Sequence, residues 1–225
     1  MKLLERNKAE NARAYALRVL NYNIVTLELE PGAPMSENEL SAALGLSRTP
    51  VREALIELSK SKLVDIVPKK GSYVSKIDYD LIEEAGFIRC VLEEAVLKIV
   101  CRQITSDMLC KLKENLEQQR SCLNGAAEHD RLFALDNEFH RLLFEAADKL
   151  YAYEIVKMQM KNFDRLRALS LKAINQARNV RDHENVVYAI ERRDEELACM
   201  VMERHLNRYN FDRKTITEKY PDYFK

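Results

Sequence analysis

Apolar positions along the chain follow two different periods, and the change of period divides it. Residues 11–27 are rich in helix formers, with Tyr15, Val19 and Tyr22 near helical spacing, and Pro31-Gly32 ends the unit as a turn. Ser36-Glu37-Asn38-Glu39 reads as a capping box, followed by Leu40, Ala43 and Leu44 on one face of a short helix that Gly45 can close in the left-handed conformation. A second helix starts near Ser47 or Thr49, either of which can cap it. It tolerates Pro50 in its first turn and carries Val51, Leu55 and Leu58 as its apolar stripe. Two short helices joined by a glycine-containing turn form a helix-turn-helix. Leu63-Val64-Asp65-Ile66-Val67 and Ser72-Tyr73-Val74-Ser75 then read as short strands around a Pro68-Lys69-Lys70-Gly71 turn, a β-hairpin.

From about Asp78 to Phe211 the pattern is helical. Leu81, Ala85, Ile88, Leu92, Ala95 and Ile99 repeat every three or four residues, and Thr105 with Ser106 marks a capped restart before Met108, Leu112 and Leu116. Gly125 is expected to end that helix, and Leu132, Leu135, Phe139, Leu142, Leu143 and Ala146 mark the next. Residues 150–175, 182–191 and 194–210 complete the set. The expected fold is mainly α: a winged helix-turn-helix at residues 9–76, an all-α antiparallel bundle of about six helices at 77–213, and a tail at 214–225. Five glycines and five prolines in 225 residues argue against an all-β alternative.

Charge sharpens this division. The net charge is zero, but residues 1–76 hold 12 Lys+Arg against 9 Asp+Glu (+3), leaving 24 against 27 (−3) for the rest. Within residues 47–76 the ratio is seven basic to three acidic, which suits a small nucleic-acid-binding module attached to something else. Arg48 and Arg52, at i and i+4, share one side of the second helix near its N-terminus, the end that enters a major groove first. Arginine can donate two hydrogen bonds to guanine O6 and N7. Lys69 and Lys70 at the hairpin tip would neutralise phosphates, as a wing does. No stretch approaches 18 apolar residues, and the charged N-terminus lacks the apolar core of a secretory signal, so a cytoplasmic protein is expected. Five scattered cysteines without a C-x-x-C read as reduced, buried small hydrophobes.

Histidine is scarce: His129, His140, His183 and His205. Asp136 and His140 are i and i+4, and antiparallel helices can bring His183 and His205 together. Three imidazoles and a carboxylate suit zinc first, with nickel, cobalt or manganese also compatible. Spacing alone leaves a plain surface Asp/His pair open. Asp136, however, sits among Leu132, Leu135, Phe139 and Leu143, where it needs a partner.

The run Ser47-Arg48-Thr49-Pro50-Val51-Arg52-Glu53-Ala54-Leu55, with Pro31-Gly32 before it and Pro68-Lys69-Lys70-Gly71 after it, resembles the winged helix-turn-helix of the GntR family of bacterial transcription regulators. The resemblance implies DNA contacts from Ser47, Arg48, Thr49, Arg52, Lys69, Lys70 and Gly71. Two departures stand out: Lys62 where the family commonly has glycine, which predicts a left-handed lysine, and Lys70 where arginine is common. Arg89-Cys90-Val91-Leu92-Glu93, Asp136-Asn137-Glu138-Phe139-His140, Asp182-His183-Glu184 and Glu203-Arg204-His205-Leu206 resemble the FCD effector domain of the FadR subfamily, in its VanR-like branch. That resemblance implies a divalent metal held by Asp136, His140, His183 and His205, with a small organic or sugar acid as effector. Arg89 could pair with a second carboxylate or a hydroxyl of the effector, or simply with Glu93 at i+4.

These features together predict a homodimeric, ligand-responsive regulator, with repression as the expected sign, on a pseudo-palindromic DNA operator. The linker near residues 75–80 would couple DNA and effector sites. Three other readings stay open: a regulator sensing the metal itself, a structural metal, and a metal-dependent hydrolase. The last lacks an H-E-x-x-H motif and an evident general base, and would leave the DNA module unexplained.

Overall fold

A computed structural model describes residues 1–123, 129–174 and 176–225. The chain divides into two compact units. The first is Met1–Ile82 with Lys161–Leu169 and Thr215–Lys225; the second is Glu83–Met160 with Ser170–Lys214.

In the first unit, α1 (Ala12–Val25), α2 (Glu37–Leu44) and α3 (Arg48–Lys60) precede the hairpin β1 (Val64–Val67) and β2 (Gly71–Val74). Ser36 caps α2 by accepting from the Glu39 amide at 3.4 Å, and Gly45 closes it at φ 63°. Ser47, rather than Thr49, occupies the cap position of α3, without a side-chain capping bond. The strands pair antiparallel with Val64 opposite Val74 and Val67 opposite Gly71. Lys62 does adopt the left-handed conformation, at φ 59°. The core combines Val19, Leu20 and Ile24 with Leu40, Leu44, Val51, Leu55 and Leu58. Each such side chain, fully buried, contributes about 1.5–3 kcal/mol. Tyr22 is only half-buried; the buried residue beside it is Asn23, which binds the Lys2 backbone on both sides and donates to Val19 O at 2.7 Å.

This unit is not contiguous in sequence. It takes in residues 161–169 and the last eleven residues, which the periodicity had grouped with the helical domain and the tail. Arg165, 0% exposed, donates to Ser75 O at 2.5 Å and Ser75 Oγ at 3.1 Å, while Ser75 Oγ donates to Lys62 O at 2.7 Å. Burial pushes the Arg165 pKa down to about 10, against the pull of Asp65, so it stays charged at neutral pH. At the chain's end, the Ile77 amide donates to Tyr223 O, the Lys225 amide donates to Ile77 O, and Phe224 stacks on Tyr79 at 5.2 Å.

The remaining helices are α4 (Tyr79–Gln103), α5 (Ser106–Cys122), α6 (His129–Ala146), α7 (Leu150–Gln159), α8 (Lys161–Ala173), α9 (Ala177–Glu191), α10 (Glu195–Leu206) and α11 (Arg208–Lys219), before a 3-10 turn at Pro221–Tyr223. Among the described residues, eight helices therefore stand where the periodicity predicts about six. The predicted 150–175 helix is broken at Met160 and the predicted 194–210 helix at Asn207. Neither break carries a glycine or proline. The predicted 182–191 helix begins at Ala177. Gly125 lies outside the described residues. No helix among the described residues is long and apolar enough to cross a membrane.

In the second unit, α5 packs on α6 and α9, and α9 on α10. The register of α4 differs from the expected one. Its buried side runs through Ile82, Ala85, Arg89, Glu93, Val96, Leu97 and Val100, leaving Phe87 69% and Val91 50% exposed. Apolar Leu81, Ile88, Leu92 and Ile99 flank that buried side, so periodicity alone does not choose the inner face, and that face carries a buried charge pair. None of the five cysteines is in a disulfide; Cys101 and Cys122 are buried, Cys90 and Cys199 half-buried, and Cys110, against expectation, exposed.

Candidate DNA-binding surface and candidate metal centre

On the first unit, Ser47, Arg48, Thr49, Lys69, Lys70, Gly71 and Arg52 are all exposed. Arg48 Nη2 lies 3.4 Å from Glu37 Oε2 and Arg52 Nε 3.9 Å from Glu37 Oε1. One carboxylate at the start of α2 thus faces both arginines of α3. Glu37 is a residue that sequence reading saw only as part of a capping box. The contacts are exposed and weak, but they draw both guanidinium groups toward one side.

On the second unit, the side chains of Asp136 and His140 (α6), His183 (α9) and His205 (α10) converge, each offering one ligand atom, all within 4.8 Å of one another. The histidines are buried and Asp136 is 16% exposed at its side chain. His183 Nε2 lies 3.2 Å from His205 Nε2 and 3.7 Å from Asp136 Oδ1, and His140 Nε2 lies 3.9 Å from Asp136 Oδ2.

The surroundings determine which ring nitrogens face inward. His140 Nδ1 is 2.6 Å from Glu93 Oε2. A carboxylate only accepts, so Nδ1 carries the hydrogen and Nε2 keeps its lone pair. Glu93 in turn accepts from Arg89 Nε at 2.5 Å. His183 Nδ1 is 2.9 Å from Gln119 Oε1. Gln119 Nε2 donates to Asn115 Oδ1 at 2.6 Å, and Asn115 Nδ2 to Leu135 O at 3.0 Å. His205 Nδ1 has no hydrogen-bond partner, with Asp182 Oδ2 at 3.9 Å. Asp182 also accepts from Arg204, at 2.7 Å, and from Arg208.

Burial disfavours the imidazolium forms. It holds the His183 pKa at about 3 despite Asp136, and lowers His140, where Arg89 adds to burial and Glu93 opposes it. His205 falls well below the usual range through burial and the neighbouring His183 and His140. For Glu93, burial acts upward, but Arg89 and His140 outweigh it and hold the pKa at about 2.

Neutral imidazoles with inward lone pairs fit a cation. The buried His140 Nε2 has no hydrogen-bond partner, and His183 Nε2 and His205 Nε2 lie 3.2 Å apart. In a tetrahedral site with bonds of about 2.0–2.1 Å, ligand atoms sit about 3.3 Å apart, close to these separations. Glu93 and Gln119 occupy the outer positions from which ligating histidines are oriented. Sequence reading named Glu93 only as a partner for Arg89, and missed Asn115 and Gln119. Two uncharged amides at i, i+4 on an otherwise apolar helix face were the available signal.

Comparison with known proteins agrees with both units. Residues 16–74 match the model of the bacterial regulatory proteins, gntR family, and residues 84–208 match the FCD domain. The chain is 32% identical over 219 residues to the HTH-type transcriptional repressor RspR of Escherichia coli (strain K12), covering 97% of this chain and 96% of that protein. It is 33% identical over 225 residues to an HTH-type transcriptional regulator of Streptomyces ambofaciens, covering 99% and 93%. The fold is similar to that of E. coli McbR/YncC, with a TM-score of 0.74 at 19% identity over 94% of this chain and 99% of that one. These relatives are regulators, not enzymes. With its N-terminal helix-turn-helix and C-terminal FCD domain, the chain belongs to the GntR family of bacterial transcription regulators.

Proposed function

We propose that this regulator is a cytoplasmic, homodimeric repressor whose operator affinity is set by a small organic or sugar acid bound at a divalent metal in the helical domain. It falls within the FadR subfamily, in the VanR-like branch. The DNA-binding domain is residues 9–76. Arg48 and Arg52 read base edges, Ser47 and Thr49 support them at the start of α3, and Lys69, Lys70 and Gly71 approach the backbone of a pseudo-palindromic site. The effector and dimerisation domain is residues 77–213.

The observation that carries the effector reading is the buried convergence of Asp136, His140, His183 and His205, in which the inward His140 Nε2 has no hydrogen-bond partner. Bound there, a divalent ion such as zinc supplies an electrophilic centre for a carboxylate. Arg89 supports the same reading. It is 5% exposed, and beyond its bond to Glu93 its terminal amino groups have no partner among the described residues, so they are available to a second acidic or hydroxyl group. An effector acts on operator affinity only through its differential affinity for two conformations.

One observation favours a second reading. Four protein ligands complete a tetrahedral shell by themselves, which suits a closed structural site or a regulator sensing the metal itself. A thermal-shift screen of carboxylic and sugar acids separates the two readings. It would use metal-loaded protein, chelator-stripped protein and His140→Ala. The first reading predicts a metal-dependent shift with one chemical class that is absent in the variant. A large shift with metal alone, and none with any acid, contradicts it and favours the second.

A further inference from the structure

We infer that the second unit carries an anion-binding site separate from the His/Asp cluster, in a cavity of about 450 Å3 where the end of α8, the start of α9 and α11 meet. The volume is that of a small-molecule pocket, and the lining is cationic: Arg178 and Arg181 from α9 and Arg208 from α11, against one carboxylate, Asp212.

These arginines are set apart by lining one cavity with little to neutralise them. Arg102, Arg120 and Arg141 of this unit are neutralised, by Glu195 at 2.6 Å, Glu184 at 2.6 Å and Glu138 at 2.7 Å, whereas the exposed Arg192 and Arg193 have no carboxylate within 4.0 Å among the described residues but do not line this cavity. Arg178 and Arg181 have neither a hydrogen bond nor a carboxylate within 4.0 Å among the described residues. Arg208 is held by Asp182 through one amino group, yet its buried Nε has no partner. A buried cationic donor without an acceptor is costly to leave unmade. An anion in the cavity would provide one.

The walls are pre-arranged. Gln176, 9% exposed, donates to Ser170 O at 3.0 Å and Ile174 O at 2.9 Å, and accepts from Asn179 Nδ2 at 2.6 Å, pinning the end of α8 to the start of α9. That start is the positive end of a 15-residue helix and reinforces the arginines. Burial raises the Asp212 pKa against Arg208 and Arg178, in keeping with a cavity wall. Three guanidinium groups around one small cavity select a compact polyanion, a phosphate or a polycarboxylate, over a monoanion.

Arg208 also ties this cavity to the cluster, because Asp182, its partner, lies 3.9 Å from His205 Nδ1. The cavity nevertheless contains none of the four converging ligands, so the two sites can be tested apart.

The test is isothermal titration of full-length, chelator-stripped protein with inorganic phosphate and, separately, tricarballylate. The proteins are wild type, His140→Ala, the double variant Arg178→Ala/Arg181→Ala, and Asp212→Asn. The expected result is saturable binding of at least one probe, kept in His140→Ala and weakened about tenfold for each arginine removed. Removing the opposing charge in Asp212→Asn should tighten binding several-fold. Which probe binds identifies phosphate or carboxylate as the source. Circular dichroism confirms that the arginine variants, altered only at exposed side chains, stay folded. Absence of saturable binding up to millimolar probe overturns the inference. So does binding that disappears in His140→Ala but survives in the double arginine variant, since the anion would then belong to the cluster.

Discussion

His183 Nδ1 lies 2.9 Å from Gln119 Oε1, and through Gln119 and Asn115 this imidazole is tied to the backbone carbonyl of Leu135. Each link determines the next. A carbonyl can only accept, so Asn115 turns its amide nitrogen to Leu135 and its oxygen to Gln119. Gln119 then presents its oxygen to His183, leaving Nε2 as the inward lone pair. Gln119→Leu keeps the volume and removes the acceptor. It should weaken divalent-metal affinity by about 10–100-fold, the usual effect of losing such an orienting partner. Competition with a chromogenic chelator measures this; unchanged affinity would show that Gln119 does not orient the ring.

Glu93 is 1% exposed at its side chain and lies between Arg89 and His140. Glu93→Leu leaves the Arg89 charge buried without its partner and should destabilise the metal-free protein by about 3–5 kcal/mol in chemical denaturation. Arg89→Met combined with Glu93→Leu removes both charges and should recover much of that loss. A double variant as unstable as the single one would contradict this account of the pair.

The metal-free protein should lose stability as pH falls. The folded-state pKa of His183 is about 3 against an ordinary 6.5, and those of His140 and His205 are lowered too. Between those limits the unfolded chain binds more protons, so stability is fully present above about pH 6.5 and drains as pH falls toward 3. Glu93, with its pKa held at about 2, adds a loss in the same direction below about 4.5. Thermal melts from pH 7.5 to 4 test this. His183→Phe, which keeps an aromatic ring beside Phe139 (ring centroids 4.1 Å apart in the wild type), should flatten the slope.

Arg165 is a cation inside the first unit, joined to Ser75 at both its carbonyl and its hydroxyl. Arg165→Met removes these bonds and leaves the Ser75 carbonyl without a guanidinium donor, a loss of about 1–3 kcal/mol. Hydrogen exchange should then rise first around residues 62–77. A variant with wild-type exchange there would remove Arg165 from the set that holds this segment.

On DNA, Arg48→Ala and Arg52→Ala should each cost about 1–3 kcal/mol at one operator position while the protein stays folded. Lys69→Ala and Lys70→Ala should weaken binding to all sequences alike, each reducing the salt dependence by about one phosphate contact. Fluorescence anisotropy over a salt series separates the two classes. Equal loss on specific and random DNA for the arginine variants would contradict base reading by α3.

The wing and the helix-turn-helix were legible because each boundary carries its own chemistry: Ser36 at a cap, Gly45 at a left-handed close, and a Pro-Lys-Lys-Gly turn between strands. The four converging ligands were legible as residue types, since a scarce histidine next to an apolar stripe is conspicuous. The inner side of α4 was not. Phe87 and Val91 are as hydrophobic as the residues that face the core, and the decisive inner residues, Arg89 and Glu93, are charged. The breaks at Met160 and Asn207 were hidden because no glycine or proline marks them. Gln119 and Asn115 act through hydrogen bonds between α5, α6 and α9, a relationship that no single helix's pattern contains.

The central claim is that an acid bound at a metal in the helical domain changes operator affinity, and it is tested most directly by an operator titration. Fluorescence anisotropy would follow metal-loaded wild type and His140→Ala with a labelled operator, each with and without the acid that gives the largest thermal shift. The account predicts acid-induced release of the wild type and no acid effect on His140→Ala, which still binds DNA. The same acid response in both proteins would contradict it.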